Sequence, residues 1–202
     1  MSKIEGKTAF VTGANRGIGK AFVEELLATG AKKVYAAARN RDSLSDVVAA
    51  GQGRVQAVAL DVTRPDQVTA AAALASDTEF LINNAGVAAF EGFIAAEAID
   101  PARNEMEVNY FGLLNLTRAF APVLAVNGGG AIVNMASIAS YVNFPVLGSY
   151  SASKAAVHSL TQGIRAELAA QGTSVSGVYP GPVDTDMAAS FPADKTAPNQ
   201  VA

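Results

Sequence analysis

Cysteine is absent from the 202 residues, and histidine occurs once, at His158. Disulfide bonds are thereby excluded. A transition-metal site would lack its usual sulfur and nitrogen ligands, so no metal is expected and a zinc-dependent alcohol dehydrogenase is disfavoured. Charge is sparse and balanced: 15 Lys and Arg against 18 Asp and Glu give a net charge of -3, with no block of one sign. Neither a basic nucleic-acid face nor a polybasic membrane anchor is suggested by that distribution. No apolar run reaches the roughly 18 residues of a membrane span. The opening Met1-Ser2-Lys3-Ile4-Glu5-Gly6-Lys7 carries charges where a signal peptide needs an apolar stretch. The expected setting is therefore cytoplasmic, with small soluble ligands and without nucleic-acid or membrane partners. A nucleophile elbow of the G-x-S-x-G kind is also missing, which leaves a Ser-His-Asp hydrolase without its parts. His158 reads as a helix-surface or interface residue.

Half of the residues are apolar, enough to bury a sizeable core within one domain spanning residues 1–202. Short apolar runs alternate with longer segments of helical period. Strands are expected at Lys7 to Thr12, Lys33 to Ala38, Arg54 to Leu60, Phe80 to Asn83, Ala131 to Met135 and Ser174 to Tyr179. Helices are expected at Gly17 to Thr29, Ser43 to Ala49, Pro65 to Ala75, Arg103 to Val126 and Ser149 to Gln171. Pro65 suits a first helical turn, and Gly30, Gly172 and the run Gly128-Gly129-Gly130 stand where helices should stop. The alternation predicts a three-layer, doubly wound α/β fold of the Rossmann type, with about six parallel strands and a ligand crevice at their carboxyl ends.

Between the first strand and the first helix lies Thr12-Gly13-Ala14-Asn15-Arg16-Gly17-Ile18-Gly19. A turn in this place brings backbone N–H groups and a helix N-terminus to a pyrophosphate, and glycine keeps side chains out of its way. Gly19-Lys20 resembles the end of a Walker loop. The glycine required five places earlier is Ala14, however, and the residue after the lysine is Ala21, so a kinase or NTPase fails on two counts. NAD-binding folds place an acid about 20 residues beyond the glycines to hold the adenosine ribose, whereas an arginine there accommodates the 2′-phosphate of NADP. The second strand here ends Ala36-Ala37-Ala38-Arg39-Asn40-Arg41, with no carboxylate. Each of Arg39 and Arg16 taken alone is compatible with a solvated loop residue. Together, with the acid missing, they favour NADP(H) through charge-assisted hydrogen bonds.

Tyr150-Ser151-Ala152-Ser153-Lys154 puts a phenol and an ammonium four residues apart, on one face of a helix start. A positive charge beside the phenol favours phenolate, which would let Lys154 activate Tyr150 near neutral pH. Tyr-x-x-x-Lys alone is common on helix surfaces. Several further motifs accompany it in order: Leu60-Asp61-Val62, Asn83-Asn84-Ala85-Gly86, Asn109, Ser137, and Pro180-Gly181 followed by Thr185. With the glycine turn they make the chain resemble the short-chain dehydrogenase/reductase family from Lys7 to Thr185. The resemblance implies a hydride-transferring oxidoreductase that interconverts a carbonyl and a primary or secondary alcohol. By it Ser137 hydrogen-bonds the substrate oxygen, Tyr150 gives or takes the proton, Lys154 also holds the nicotinamide ribose, and Asn109 supports a proton-relay water. The cofactor set it implies is Gly13, Asn15, Arg16, Gly17, Ile18, Gly19, Arg39, Asp61, Val62, Asn84, Ala85, Tyr150, Lys154, Pro180, Gly181, Val183 and Thr185. Asp61 and Val62 would flank the adenine, and Asn83 is read as support for the sheet.

The family usually continues beyond the sixth strand through another helix and a seventh strand. The tail from Met187 to Ala202 corresponds to the start of its mobile substrate loop, so the chain is expected to be either truncated or an unusually short member. An uncovered edge strand and a more open pocket would follow. A homodimer through the helices Arg103 to Val126 and Ser149 to Gln171 is expected, with a tetramer in a full-length form. Val87, Phe90, Ile138, Tyr141, Phe144, Val146 and Leu147 are expected to border the substrate, suggesting a hydrophobic carbonyl or alcohol. The rival is a sensor or scaffold that keeps the fold and binds NADPH without chemistry, or an inactive truncated chain.

Overall fold

The computed structural model describes residues 4–202; Met1, Ser2 and Lys3, part of the charged opening, lie outside the described residues. Six strands form one sheet: β1 (Thr8–Thr12), β2 (Lys33–Ala38), β3 (Val55–Ala59), β4 (Phe80–Asn83), β5 (Ala131–Met135) and β6 (Ser174–Val178). Their spatial order is β3-β2-β1-β4-β5-β6, and the five strand pairings are parallel. This is the expected doubly wound fold, and its direction of winding reverses between β1 and β4, where such sheets open a ligand crevice.

Alternation along the buried strands divides the core into two layers. From β1, Phe10 joins Tyr35, Leu81, Leu116, Phe120 and Ile132 on one face of the sheet. Its neighbours Ala9 and Val11 join Phe22, Val23, Leu26, Val34 and Ile82 on the other. Helices cover both faces because the inner strands β1, β2 and β4 have two apolar sides to bury. They are α1 (Gly17–Ala28), α2 (Ser45–Ala50), α3 (Pro65–Leu74), α4 (Asp100–Glu105), α5 (Leu113–Val126) and α6 (Gly148–Leu168).

The expected bounds need correction at several ends. β1, β3 and β6 are each shorter than the apolar run that suggested them, and a 3₁₀ turn at Arg41–Leu44 precedes α2. α6 ends at Leu168, followed by a 3₁₀ turn Ala169–Gln171 and Gly172 at φ 76°. The larger departure concerns the helix expected from Arg103 to Val126. Helical structure begins at Asp100, and a π-helical segment, Met106–Gly112, separates α4 from α5. A π turn accommodates an extra residue in the ladder, a local change that a 3.6-residue hydrophobic period does not register.

The segment after β6 folds back on itself. Asp184 N–H donates to Thr196 O at 2.9 Å and Thr196 N–H to Pro182 O at 2.9 Å. Val201 and Ala202 then pack on the core layer that includes Phe22 and Val23 of α1.

Candidate active site

Thr12, the last residue of β1, is the hub of the crevice. Its hydroxyl donates to Ile82 O at 3.3 Å and accepts from Asn84 N and Ala85 N at 3.0 Å each. The Asn84 amide donates to Thr12 O at 2.9 Å and Gly13 O at 3.2 Å. The glycine turn and the segment after β4 are thus fastened to each other across the winding reversal. The glycines permit that approach: a Cβ on Gly19 would fall 2.1 Å from Gly13 O, and one on Gly17, at φ 53°, would fall 2.9 Å from Thr185 Cγ2.

A cavity of about 690 Å³ runs from this turn to Tyr150 and Lys154. Of the expected cofactor residues, Gly13, Asn15, Arg16, Gly17, Ile18, Arg39, Asp61, Val62, Asn84, Ala85, Pro180, Gly181, Val183 and Thr185 line it together with that pair. Gly19 does not. It is buried under the turn, and its lack of a side chain serves the contact with Gly13 rather than the cavity. Arg39 and Arg16 both line the cavity, but Arg16 Nη1 is paired with Asp186 Oδ2 at 2.9 Å. Burial works against ionisation of Asp61. Hydrogen bonds from Thr63, with the charges of Arg39 and Arg64, outweigh it and hold the carboxyl below its ordinary range.

At the other end, three elements meet around Tyr150. Ser137 follows β5 and lines the cavity together with Tyr150. Its hydroxyl accepts from Ala139 N at 3.1 Å, capping the short turn Ile138–Ser140. Ser140 Oγ donates to Lys154 O at 2.8 Å, and Ile138 N–H donates to Pro180 O at 3.0 Å, so this turn is bolted to α6 and to the end of β6. Lys154 Nζ donates to Met135 O at 2.8 Å and lies 5.7 Å from the centroid of the Tyr150 ring. Burial lowers its pKa to about 8. Where the sequence suggests an ammonium lowering the phenol, the structure has Tyr150 raised. Burial is the largest cause; the Ser137 hydroxyl lowers the phenol, and the Glu105 charge raises it.

Asn109 is 1% exposed and does not line the cavity; it stands behind it, in the π segment. Its Oδ1 accepts from Val87 N at 2.9 Å, and its Nδ2 donates to Val87 O at 3.0 Å and Ser153 Oγ at 2.9 Å. Ser153 Oγ donates to Tyr150 O at 2.7 Å, which connects Asn109 to α6. Asn83 does support the sheet, its amide donating to Asn134 Oδ1 at 2.9 Å. Val87, Phe90, Ile138, Phe144 and Leu147 border the cavity as expected, but Tyr141 and Val146 do not. Tyr141 packs instead against His158 and Tyr179, with centroids 4.9 and 5.0 Å away, and His158 Nδ1 lies 2.8 Å from the Tyr179 hydroxyl. Val146 points outward, 53% exposed. Sequence reasoning passed over Asn40, Ser43, Met187 and Phe191, which also line the cavity. It also passed over Thr12 as a site residue, although a hydroxyl between a strand and a glycine turn is a usable signal.

A crevice at the winding reversal of a sheet in this order, with a glycine turn at the head of its first helix, defines a Rossmann-type nucleotide-binding protein. The sequence profile of the short chain dehydrogenases matches residues 7–196, and the chain belongs to that family of oxidoreductases. It is 48% identical to a short chain dehydrogenase from Burkholderia cenocepacia J2315 solved in complex with NADP, with a TM-score of 0.93, covering 98% of this chain and 81% of that one. A short chain dehydrogenase/reductase from Burkholderia phymatum, solved in complex with NAD, is 33% identical with a TM-score of 0.86, covering 93% and 70%. Among curated proteins, an uncharacterized oxidoreductase of Staphylococcus aureus (strain MRSA252) is 36% identical over 201 residues, covering 96% of this chain and 86% of that protein. Among the described residues no helix is long and apolar enough to cross a membrane, and no cluster of His, Cys, Asp or Glu could hold a metal ion.

Proposed function

We propose that this chain is an NADP(H)-dependent oxidoreductase interconverting a hydrophobic carbonyl compound and its alcohol, with Tyr150 as general acid and base. The observation that carries the reading is that Ser137, Tyr150 and Lys154 line one end of the same cavity as the glycine turn. The cavity's residues fit a dinucleotide. Gly13, Asn15, Gly17 and Ile18 offer a cradle open to a pyrophosphate, Asp61 and Val62 flank the place for an adenine, and Arg39 stands free of any ion pair found among the described residues. The relative solved with NADP supports the phosphorylated form, whereas a second relative was solved with NAD.

The nicotinamide, when bound, supplies or accepts the hydride. In the reductive direction Ser137 donates a hydrogen bond to the substrate oxygen and holds it against Tyr150, which delivers the proton. A phenol raised by burial keeps that proton at neutral pH, as an acid must. Lys154 offers its ammonium to the ribose hydroxyls and to recharging of the phenol. Asn109 contributes by holding the pocket wall at Val87 and, through Ser153, the Tyr150 backbone; its side chain is satisfied by protein groups, which leaves support of a relay water to the backbone of the π segment. Val87, Phe90, Phe144 and Leu147 suit an apolar substrate, and pairing of two copies through α5 and α6 is part of this reading.

Tyr150→Phe tests it. Turnover of carbonyl compounds, followed by NADPH absorbance, should fall by about 100-fold or more, the usual contribution of a positioned acid. Fluorescence titration should give an NADPH affinity within about threefold of wild type, because only one hydroxyl is removed. Turnover that survives the substitution would sink the mechanism.

A further inference from the structure

Glu105, the last residue of α4, is 1% exposed, and among the described residues no lysine or arginine forms an ion pair with it. A carboxylate buried without a cation is costly unless hydrogen bonds satisfy it, so its place calls for a reason. One oxygen accepts from Ala89 N at 2.7 Å, and the other accepts a short hydrogen bond from Ser149 Oγ. Ala89 precedes Phe90, a cavity residue at φ 58°, where a bulky side chain is strained unless its neighbours are held. Ser149 precedes Tyr150. On the far side of Phe90, Gly148 N–H donates to Glu91 O at 3.0 Å. The strained residue is thus flanked by two ties to the start of α6, one direct and one through Glu105.

We infer that Glu105 is a positioning residue for the reaction: one buried carboxylate joins the Phe90 segment, α4 and the start of α6 into a single frame, and sets its negative charge against the Tyr150 phenol. The inference rests on the proposed acid/base role of Tyr150. Around that phenol stand Ser137 from the turn after β5 and Lys154 from α6, while Glu105 is held one residue away, on the Ser149 hydroxyl. After burial, and against the Ser137 hydroxyl, the Glu105 charge raises the phenol. Its effect is to keep the proton on Tyr150, which favours the reductive direction.

Glu105→Gln keeps the shape and the hydrogen bond from Ala89, and removes the charge. The readout is fluorine NMR of protein carrying difluorotyrosine, whose phenol titrates below that of tyrosine; the signal missing from Tyr150→Phe identifies position 150 among the 5 tyrosines. The Tyr150 midpoint should fall by about one pH unit in Glu105→Gln. A residue with only a structural role would leave that midpoint where it is, and an unmoved midpoint in the folded variant overturns the inference. Glu105→Met serves if Glu105→Gln does not fold: it too removes the charge, so the midpoint should again fall, and an unmoved midpoint overturns the inference by that route. Turnover that persists in Tyr150→Phe would instead remove the acid/base reading, so the two failures are distinguishable.

Discussion

Lys154 shows how far a side chain's neighbours can move it from its behaviour in water. It is 5% exposed and its pKa falls from 10.5 to about 8 by burial alone. Between those two values the unfolded chain holds a proton that the folded chain has released, so stability from this group rises with pH across that window. Below about pH 8 the ammonium is charged in both states and its burial penalty is constant. Urea unfolding of wild type and Lys154→Met should therefore diverge on going from pH 7.5 to 10, in favour of wild type, by up to about 3 kcal/mol. Parallel pH profiles would mean that Lys154 is not the group that titrates. The same displacement suits its proposed work, because an ammonium near its midpoint can return a proton to Tyr150 where one held at 10.5 could not do so readily.

The turn between β1 and α1 works only because two stretches of backbone come closer than side chains allow. Gly19→Ala would put a methyl group 2.1 Å from Gly13 O and 2.5 Å from Asn84 Nδ2. Neither neighbour is a flexible side-chain end free to swing away, since Asn84 is itself tied to Thr12 O. The turn must open, and with it the junction to the segment after β4. Expected is a loss of roughly 2 kcal/mol or more in urea unfolding, together with NADPH binding weakened at least tenfold in titration. Native stability and affinity in Gly19→Ala would show that the turn can relax without consequence. The π segment makes the complementary case. It places Asn109 where its amide group can satisfy both backbone groups of Val87 and reach Ser153, and it ends at Gly112, where a Cβ would meet Val62 Cγ2 at 2.6 Å.

Cofactor choice involves the field of the whole cleft as well as its contacts. Arg16 is shared with Asp186 across the mouth, both side chains well exposed, so a 2′-phosphate would draw it from that pair while Arg39 is available outright. One charge-assisted hydrogen bond of about 1.5 to 3 kcal/mol corresponds to a preference for NADPH over NADH of about tenfold to 150-fold, and a second would multiply it. Part of the attraction is long-range, so the preference should shrink as salt is raised. Ala38→Asp combined with Arg39→Ala should turn it toward NADH by supplying a carboxylate for the ribose hydroxyls and removing the phosphate's partner. Equal affinities for NADH and NADPH in wild type at low ionic strength would make both arginines solvated loop residues.

Six parallel strands, the glycine turn and the Tyr150 and Lys154 pair are legible from residue order, because each depends on local period or on short spacing; Ser137 joins that pair only through the family resemblance. Alternating apolar runs specify strands whatever surrounds them, and a Tyr and Lys four apart share a helix face in any protein. What the sequence could not reveal depends on groups far apart in the chain. Gly19 looks in sequence like a phosphate contact, and only the fold brings Gly13 and Asn84 against it. Tyr141 looks like pocket lining, and only the fold packs it on His158 and Tyr179 instead. Glu105 looks like an ordinary acid near a helix end, and only folding makes it a buried charge, by closing the Ala89 segment and Ser149 over it. Tertiary structure also reversed the expected direction for Tyr150: spacing puts an ammonium on the same helix face, but desolvation is set by everything packed around the phenol, and here it raises the phenol.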